Sequence, residues 1–500
     1  MSAIKNFAGQ TAIYGLSTVI TRFLNFFLTP VYVGLYSPKV YGIFSVMYSW
    51  ASMLNALLAF GMETTYFRYL NKYENDKQKV YNNTFFTVSL MALIFLLFTF
   101  LFVDDIAAWI QKGDVYDPDY ARYIKYFMYI LVADALAVIP FAKVRADGRP
   151  LRYSFIKFVN ILTFIGLNLL FIFVFPLIIK EGWYGSEYIM GWYREGWVGY
   201  VFISNLIASL ITLLLLVPEL LKLTFTYDIA LVKEMFVYSL PVLIANISFI
   251  INENIDKIFL GQLLPSSISV QEVGIYAACC KIAVFLSIFI NAFRLGAEPF
   301  FFSHAKNKNA TETYARIMNY FVIAVSLIFV LLVANIELLK YFIKGKDAAE
   351  QALYWSGLRI VPILLFGYVS LGIYINLSIW YKLSDQTRYG LYISGIGAVL
   401  TIVLNIIFIP KYSYMASAWI SLTAYTVMMV LSYFWGQKNY PIPYNLKKNI
   451  SYLLASVCIV FIAFVVFERN LLIGNALFII FTGTLFFVER KELKAIFGIK

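Results

Sequence analysis

The chain is a succession of long apolar segments, and this feature limits the folds that are open to it. Segments of about 17 to 25 mostly apolar residues are long enough to cross a bilayer as helices. About fourteen of them follow one another along the 500 residues, beginning near positions 11, 42, 83, 124, 153, 197, 236, 271, 315, 353, 389, 413, 450 and 471. The connections are short. The sequence therefore predicts an all-α integral membrane protein with about fourteen transmembrane helices.

The charges of the chain lie mainly between these segments. Only 14% of the residues are charged, against about 25% in soluble domains. Lys and Arg concentrate in segments such as "FRYLNKYENDKQK" and "KVRADGRPLR", which alternate with poorer ones. The positive-inside rule then predicts that both termini are cytoplasmic. The same bias and anionic lipid explain the net charge of +12, so we expect no nucleic-acid partner.

Residues of the types that make metal or disulfide sites are scarce. Cys279, Cys280 and Cys458 all fall in apolar runs, and the chain has one histidine, His304. This pattern predicts neither a disulfide framework nor a metal site. The segment "EGWYGSEYIMGWYREGW" at 181–197 is rich in Trp and Tyr, which indicates an aromatic belt at the outer membrane interface. Stacking of sugars on these rings is the alternative.

An internal repeat divides the chain into two halves. The segment at 41–69 is echoed at 273–302, and the segment at 152–176 is echoed at 388–410 with Asn168 opposite Asn405. The nearly constant offset indicates a duplication. Because six spans separate equivalent positions, the halves are parallel repeats, an arrangement typical of alternating-access transporters. We expect six-helix bundles at 1–220 and 221–440, followed by two additional helices and a cytoplasmic tail in 441–500.

Charged residues inside the apolar segments are the candidate functional residues. A charge at the centre of a spanning helix costs about 2.5 to 3.5 kcal/mol, so each needs a partner, a cavity or a function. Lys157 and Arg359 lie near helix ends and can reach water. Glu63 and Glu298 are expected to cap helices or to bridge to bases. The remaining charges are Arg22, Asp134, Glu253, Asp256, Lys257, Lys281 and Arg294.

Arg22 is the main candidate for binding an anion. It lies near the middle of the first span, which contains no acid, and its planar guanidinium suits phosphate. The alternative is a structural pair with Asp134 of the fourth span. Lys281 is the best basic candidate in the second half, and Arg294 is a further anion ligand with Glu298 one turn away as a competitor.

The stretch "INENIDKIFL" at 251–260 places three charges inside one apolar run. Glu253 and Lys257 are four residues apart in the order that favours a helical ion pair. Asp256 shares a helix face with Asn252. Asp256 either pairs with Lys281, as a gate or strut, or binds Na+ or a proton with Asn252.

Several motifs together resemble those of a known family. They are "YGLSTVITRFLNFFLTPVY", "YGIF" with "GMETTYFRY", "IPFAKVRADGRPLRY" and "YSLPVLIANISFIINENIDKIFLGQLLP" with "EVGIYAACCKIAVFLSIFINAFRLGAEPFFF". This pattern is similar to the bacterial polysaccharide-biosynthesis flippases. Their exporter superfamily also includes lipid II flippases and multidrug and toxin extrusion (MATE) transporters. The resemblance covers the first twelve spans.

The resemblance implies a non-enzymatic flippase of undecaprenyl-diphosphate-linked oligosaccharide in the bacterial inner membrane, acting in lipopolysaccharide-type surface polysaccharide synthesis. Arg22, Lys281 and Arg294 would bind the diphosphate, and Asp256 with Asn252 would form a gate or a site for a coupling Na+ or H+. No other cofactor is expected. Besides the glycan lipid and membrane lipids, the expected partners are a polysaccharide polymerase or glycosyl transferases.

Two other functions compete with this interpretation. A MATE-type antiporter of cationic drugs would need acids in the first half of its cavity, where the first span offers only Arg22. A membrane-embedded glycosyl transferase or polymerase would need a sizeable catalytic loop, whereas the acidic outer loop with Asp104, Asp105, Asp114, Asp117 and Asp119 is short.

Overall fold

The computed structural model describes residues 20–21, 23–112, 117–305 and 307–497. Within these ranges the secondary structure is helical throughout, and no strand occurs. Eleven of the described helices are long and apolar enough to cross a membrane, and Phe23–Leu35 and Gly199–Leu215 are shorter apolar helices. The all-α membrane fold is therefore confirmed and the protein is a multi-pass membrane protein, whereas the number of fourteen spans stays a prediction.

The helices group into two compact units, Met1–Gly274 and Ile275–Lys500. The helices of the first unit are α1 Leu28–Leu35, α2 Pro38–Ala59, α3 Met62–Lys72, α4 Lys77–Leu101, α5 Val103–Gln111, α6 Pro118–Ala146, α7 Pro150–Leu169, α8 Phe175–Glu181, α9 Ser186–Met190, α10 Gly199–Leu215, α11 Val217–Leu220 and α12 Ile229–Leu263. Helix α12 packs along α2 and α3. The bundle boundaries at 220 and 440 concern the duplication and stay predictions.

The second unit begins within helix α13. Its helices are α13 Ser269–His304, α14 Ala310–Ala334, α15 Ile336–Leu339, α16 Ala348–Ser356, α17 Val361–Leu377, α18 Ile379–Leu383, α19 Arg388–Asn439, α20 Leu446–Phe461 and α21 Leu471–Phe497. Helix α19 is bent at Ser413, which has φ 50° and ψ −141°. The two apolar segments predicted to start near 389 and 413 therefore form two helical arms joined at this residue. Helices α20 and α21 pack on α14.

The duplication is visible in equivalent buried asparagines. Asn168 donates from Nδ2 to the carbonyl oxygen of Phe164 four residues earlier, and its Oδ1 accepts a hydrogen bond from the Tyr32 hydroxyl. Asn405 donates in the same way to Thr401, and its Oδ1 accepts from the Ser417 hydroxyl. The two amide donors are thus satisfied in the same way, whereas the two Oδ1 atoms accept from different donors; the common origin of the halves stays a prediction.

A second signature of the duplication is a reciprocal close approach of backbones. A Cβ atom on Gly42 would overlap the carbonyl oxygen of Val270, and a Cβ on Gly274 would overlap that of Pro38. Gly42 corresponds to Gly274 in the repeat, and Pro38 to Val270. Only glycine allows helices α2 and α13 to approach this closely. The same contact occurs twice, with the equivalent residues of the two helices exchanged.

The segment between the two sequence halves is tied to helix α4. The Nδ2 of Asn82 donates to the hydroxyls of Thr224 and Thr226, 2.7 Å away in each case, and its Oδ1 accepts from the Thr224 N–H. Next to it, Asn83 Oδ1 accepts from the Asp228 N–H, and Lys79 lies 2.6 Å from the Asp228 carboxylate. Asn82 and Asn83 are both buried. The segment 222–228 is thus a fixed strap.

Candidate functional site

The charges of "INENIDKIFL" lie in the last third of helix α12. Asp256 and Asn252 are buried, with 5% and 4% of their surface exposed. The Lys257 ammonium lies 3.1 Å from Asp256 Oδ1 and 3.1 Å from the backbone carbonyl oxygen of Glu253. The contact between Lys257 and Asp256 joins neighbours in the chain and was not among the predicted pairs. The ion pair between the side chains of Glu253 and Lys257, and the pairing of Asp256 with Lys281, stay predictions.

Lys281 and Arg294 are carried by the same uninterrupted helix, α13. At 1.5 Å and 100° per residue they are separated by about 20 Å along its axis and project to different sides. Two such side chains do not converge on one diphosphate group in a single conformation. Lys281 and Arg294 therefore do not form one binding site for a single small anion.

Arg294 lines a small cavity in the second unit, together with Glu298, Asn376 and Lys382. The carboxylate of Glu298, expected to compete for Arg294, is paired with Lys382 of α18. Asn376 is 4% exposed, and its Nδ2 has no hydrogen-bond partner among the described residues. No ion pair joins Arg294 to any described residue. The cavity therefore offers one guanidinium and one buried amide donor, with a net charge of +1, which suits an anionic group.

Asp134 lines a larger polar cavity of about 310 Å³ inside the first unit, which we call the chamber. Asp134 accepts a hydrogen bond of 2.8 Å from the Ser209 hydroxyl. Lys157 reaches the chamber from α7, with its ammonium 5.0 Å from the centre of the Phe141 ring. Asp134 and Lys157 line the same space without forming an ion pair.

The two halves carry equivalent ion pairs at the ends of these cavities. Glu63 pairs with Arg145 in the first unit, as Glu298 pairs with Lys382 in the second. The bridging expected for both glutamates is therefore present. Arg68, which follows Glu63 on helix α3, instead lies over the Tyr238 ring at 4.3 Å.

The equivalent positions differ in one respect. Asp134 accepts a hydrogen bond from Ser209, whereas Ser370, which stands at the repeat offset from Asp134, accepts one of 3.2 Å from Thr426. The second half therefore retains the hydroxyl contact but has no carboxylate there. The charge at Asp134 belongs to the first half alone.

Arg22 lies outside the described residues, so its roles as an anion ligand or as a partner of Asp134 stay predictions. The sequence analysis missed Lys382 and Asn376 beside Arg294, and the amides of Asn55, Asn160 and Asn205 in the chamber. The repeat gave one usable signal, because Lys382 stands opposite Arg145. No sequence signal marks the asparagine amides, since a lone Asn in an apolar run is common at helix contacts.

The aromatic segment at 181–197 is fixed to the bundle by a buried carboxylate. Asp119 accepts two hydrogen bonds from the Arg194 guanidinium, of 3.0 and 2.7 Å, and a third from the Trp197 indole. Trp183, Tyr184 and Tyr188 remain exposed. Anchored, outward-facing aromatics are typical of a membrane interface.

Comparison with known families identifies this arrangement of helices. The profile of the family described as polysaccharide biosynthesis protein matches residues 7–303, more than half of the chain. The chain belongs to the polysaccharide biosynthesis protein family. The profile described as MatE matches residues 241–407 of this family member. No curated protein matches the sequence significantly.

Solved structures with the same fold extend over almost the whole polysaccharide biosynthesis protein. The lipid II flippase MurJ in an inward closed conformation has a TM-score of 0.69 at 13% identity, over 95% of this chain and 98% of that one. An inward-facing multidrug resistance MATE family transporter of the MOP superfamily has 0.61 at 13%, over 86% and 94%. The Vibrio cholerae MATE transporter VcmN in the bent form has 0.54 at 12%, over 92% and 99%. At these identities the likeness shows the fold.

Proposed function

We propose that this protein moves undecaprenyl-diphosphate-linked oligosaccharide from the inner to the outer leaflet of the bacterial cytoplasmic membrane by alternating access, in the synthesis of surface polysaccharide of the lipopolysaccharide type. The observation that carries the proposal is the polysaccharide biosynthesis profile over residues 7–303. Both termini are cytoplasmic in this proposal. A polymerase or glycosyl transferases on the outer and inner faces would be its partners.

The charges of the described cavities fit an anionic cargo. Because Lys382 engages Glu298, Arg294 keeps its guanidinium available for a phosphate oxygen. Arg22 provides a second guanidinium in the first span. In the proposed cycle Arg22, Lys281 and Arg294 each engage the diphosphate, and Lys281 and Arg294 do so at different steps because they lie about 20 Å apart along helix α13. The polyprenyl tail stays in the lipid.

We assign the coupling step to Asp256 and Asn252. The Asp256 carboxylate is buried and holds the Lys257 ammonium at 3.1 Å, so an incoming Na+ or H+ competes with that ammonium for the same oxygen. Binding of the cation would release Lys257, and its departure would restore the pair. The exchange gives the helix two alternative charge states without leaving a buried carboxylate uncompensated.

The test is the sidedness of lipid-linked oligosaccharide in cells depleted of the protein. A membrane-impermeant sugar-oxidising reagent scores which leaflet holds the glycan. We expect accumulation on the cytoplasmic face, reversed by the wild type and not by Arg294→Gln. Arg388→Gln is the matched control, because Arg388 lies over the Tyr389 ring and does not line the cavity. Unchanged sidedness on depletion would overturn the proposed function.

Export of cationic drugs is the second candidate, favoured by the MatE profile over 241–407. Its cargo would be drawn to carboxylates, and Asp134 is the one that the chamber offers without an ion pair among the described residues. Efflux of a fluorescent organic cation from energised vesicles, abolished by Asp134→Asn and unaffected by Arg294→Gln, would replace the flippase assignment.

A further inference from the structure

We infer that the chamber of the first unit is a subsite for a neutral sugar residue of the cargo. The inference rests on the proposed function and adds to it, because it names the part of the substrate that this cavity takes. The chamber lies among helices α2, α3, α6, α7 and α10 of the first unit, and it shares no lining residue with the cavity of Arg294 in the second unit.

The charges of the chamber cancel. Glu63 is paired with Arg145 at one end, and Asp134 and Lys157 contribute one negative and one positive charge to the rest of the lining. A phosphate would meet the Asp134 carboxylate, and a metal cation would meet the Lys157 ammonium. Either ion would therefore gain little from the field inside the chamber. A neutral group that both donates and accepts hydrogen bonds suits this lining best.

The chamber supplies hydrogen-bonding atoms that the protein does not use internally. Asn160 donates from Nδ2 to the Ala208 carbonyl oxygen and the Thr212 hydroxyl, and Asn205 donates to the Tyr48 hydroxyl. The Oδ1 atoms of Asn160 and Asn205 accept no hydrogen bond from the described residues. These acceptors, which are fixed in orientation by their own amide donors, match the hydroxyl groups of a sugar ring.

The size and walls of the chamber agree with this class of ligand. Its volume of about 310 Å³ lies at the lower end of the range for small-molecule sites, about 300 to 1,000 Å³. Phe141 and Tyr153 form an aromatic side of the wall, against which the apolar face of a sugar can pack. Apart from Ala137 and Val138 the remaining lining is polar or charged, so the chamber is unsuited to the polyprenyl chain.

Comparison of the two halves indicates that the chamber has been specialised. Ser370 stands at the repeat offset from Asp134 and carries a hydroxyl that accepts a hydrogen bond from Thr426, so the repeat does not account for the carboxylate at position 134. A carboxylate is the strongest hydrogen-bond acceptor available to hold sugar hydroxyls. Ser370 therefore gives a matched control position outside the chamber.

The test compares two probes in proteoliposomes, undecaprenyl diphosphate with and without an N-acetylhexosamine disaccharide. We expect the wild type to flip the glycosylated lipid preferentially. Asn55→Leu and Lys157→Met should each lower that preference about fivefold, which corresponds to the loss of about one hydrogen bond, while Ser370→Ala leaves it unchanged. Turnover of the bare lipid reports whether each variant is folded and active.

A second measurement uses chemical protection at the same place. In an Asn55→Cys variant, a small membrane-permeant thiol reagent should label the new cysteine, and the glycosylated lipid should slow labelling while the bare lipid does not. Equal labelling with both lipids, or an unchanged preference in both chamber variants, would overturn the subsite. So would an Asp134→Asn variant that shifts the pH dependence for both lipids equally and keeps the preference, which indicates a proton site. A wild type that flips neither lipid would instead overturn the proposed function.

Discussion

Lys382 holds the carboxylate of Glu298, which lies one helical turn from Arg294. Helix α18 is only five residues long. It nevertheless determines the charge of the cavity, because it places the Lys382 ammonium next to Glu298 on α13. With Lys382 in place, the acid and the lysine neutralise each other. The guanidinium of Arg294 then determines the net charge of the cavity.

This relationship predicts opposite effects for the two members of the pair. Lys382→Met should weaken binding of undecaprenyl diphosphate by about threefold, because the released carboxylate turns to Arg294. Glu298→Gln should leave binding unchanged or strengthen it, because two cations then face the anion. Equilibrium binding to the purified protein measures both. Parallel losses in the two variants would show that the pair is only structural.

The glycine contact between α2 and α13 predicts a loss of stability on substitution. In Gly42→Ala the new methyl group overlaps the backbone oxygen of Val270, which no side-chain rearrangement relieves. The free energy of unfolding should fall by about 1 to 3 kcal/mol, seen as a lower Tm in detergent. Gly34→Ala is the control, because nothing lies within 4 Å of its Cβ. Equal melting of both variants would contradict the close approach.

The buried carboxylate of Glu219 predicts a second loss of stability on substitution. It is fully buried, and its oxygens lie 2.9 Å from the Arg149 guanidinium and 2.8 Å from that of Arg152. Glu219→Gln removes the negative charge that both arginines share, and the free energy of unfolding should fall by about 2 kcal/mol. This loss is smaller than for a fully buried pair because the arginines are about one-third exposed. The exposed Glu74→Gln serves as the neutral comparison in thermal unfolding. A cost no larger than that of Glu74→Gln would mean that water solvates the arginines equally well.

The strap at 222–228 predicts a local change in hydrogen exchange. Asn82→Ala removes the three hydrogen bonds that hold Thr224 and Thr226, so amides of this segment should exchange about tenfold faster. Asn71→Ala, which loses only a bond to the carbonyl of Phe67 in its own helix, should not alter the strap. Exchange at wild-type rates in Asn82→Ala would show that other contacts fix the segment.

The strap also predicts a pH dependence. The hydrogen bond from Lys79, followed by backbone N–H groups at the start of α12, lowers the pKa of Asp228 below its ordinary value. Its contribution to stability is therefore present above about pH 4, the ordinary pKa of Asp, and is lost as the pH falls through the lowered pKa. Asn still caps a helix, so Asp228→Asn should have a lower Tm at pH 7 and match the wild type at acid pH. A pH-independent difference would exclude the charge as the cause.

The sequence was sufficient for the features that depend on periodicity and repetition. The length of the apolar segments predicted the membrane helices, and the echo between 41–69 and 273–302 predicted equivalent positions. Glu63 and Glu298 of this echo both form ion pairs, and Asn168 and Asn405 of the echo between 152–176 and 388–410 both donate to the carbonyl oxygen four residues earlier. A repeat can be recognised in a sequence because its two copies carry similar residues at a nearly constant offset.

The pairing of charges was not readable in the same way. Lys257 was expected to pair with Glu253 by helical spacing, yet its ammonium also contacts the adjacent Asp256, because a long flexible side chain can fold back along its own helix. Lys382 was overlooked because its partner lies 84 residues away. Which of several acids pairs with a base depends on how the helices pack against one another. The spacing of residues along one helix does not determine that packing.

The reciprocal glycines carry a consequence for the origin of the chain. Gly42 of the first repeat approaches Val270, which is the equivalent of Pro38 in the second repeat. Gly274, the equivalent of Gly42, approaches Pro38 in return. In an ancestor with a single repeat, the same contact would join two identical copies as an isologous interface. Fusion of such a homodimer would free each copy to change alone, and the acid at Asp134 opposite the neutral Ser370 is the kind of difference that identical subunits cannot have.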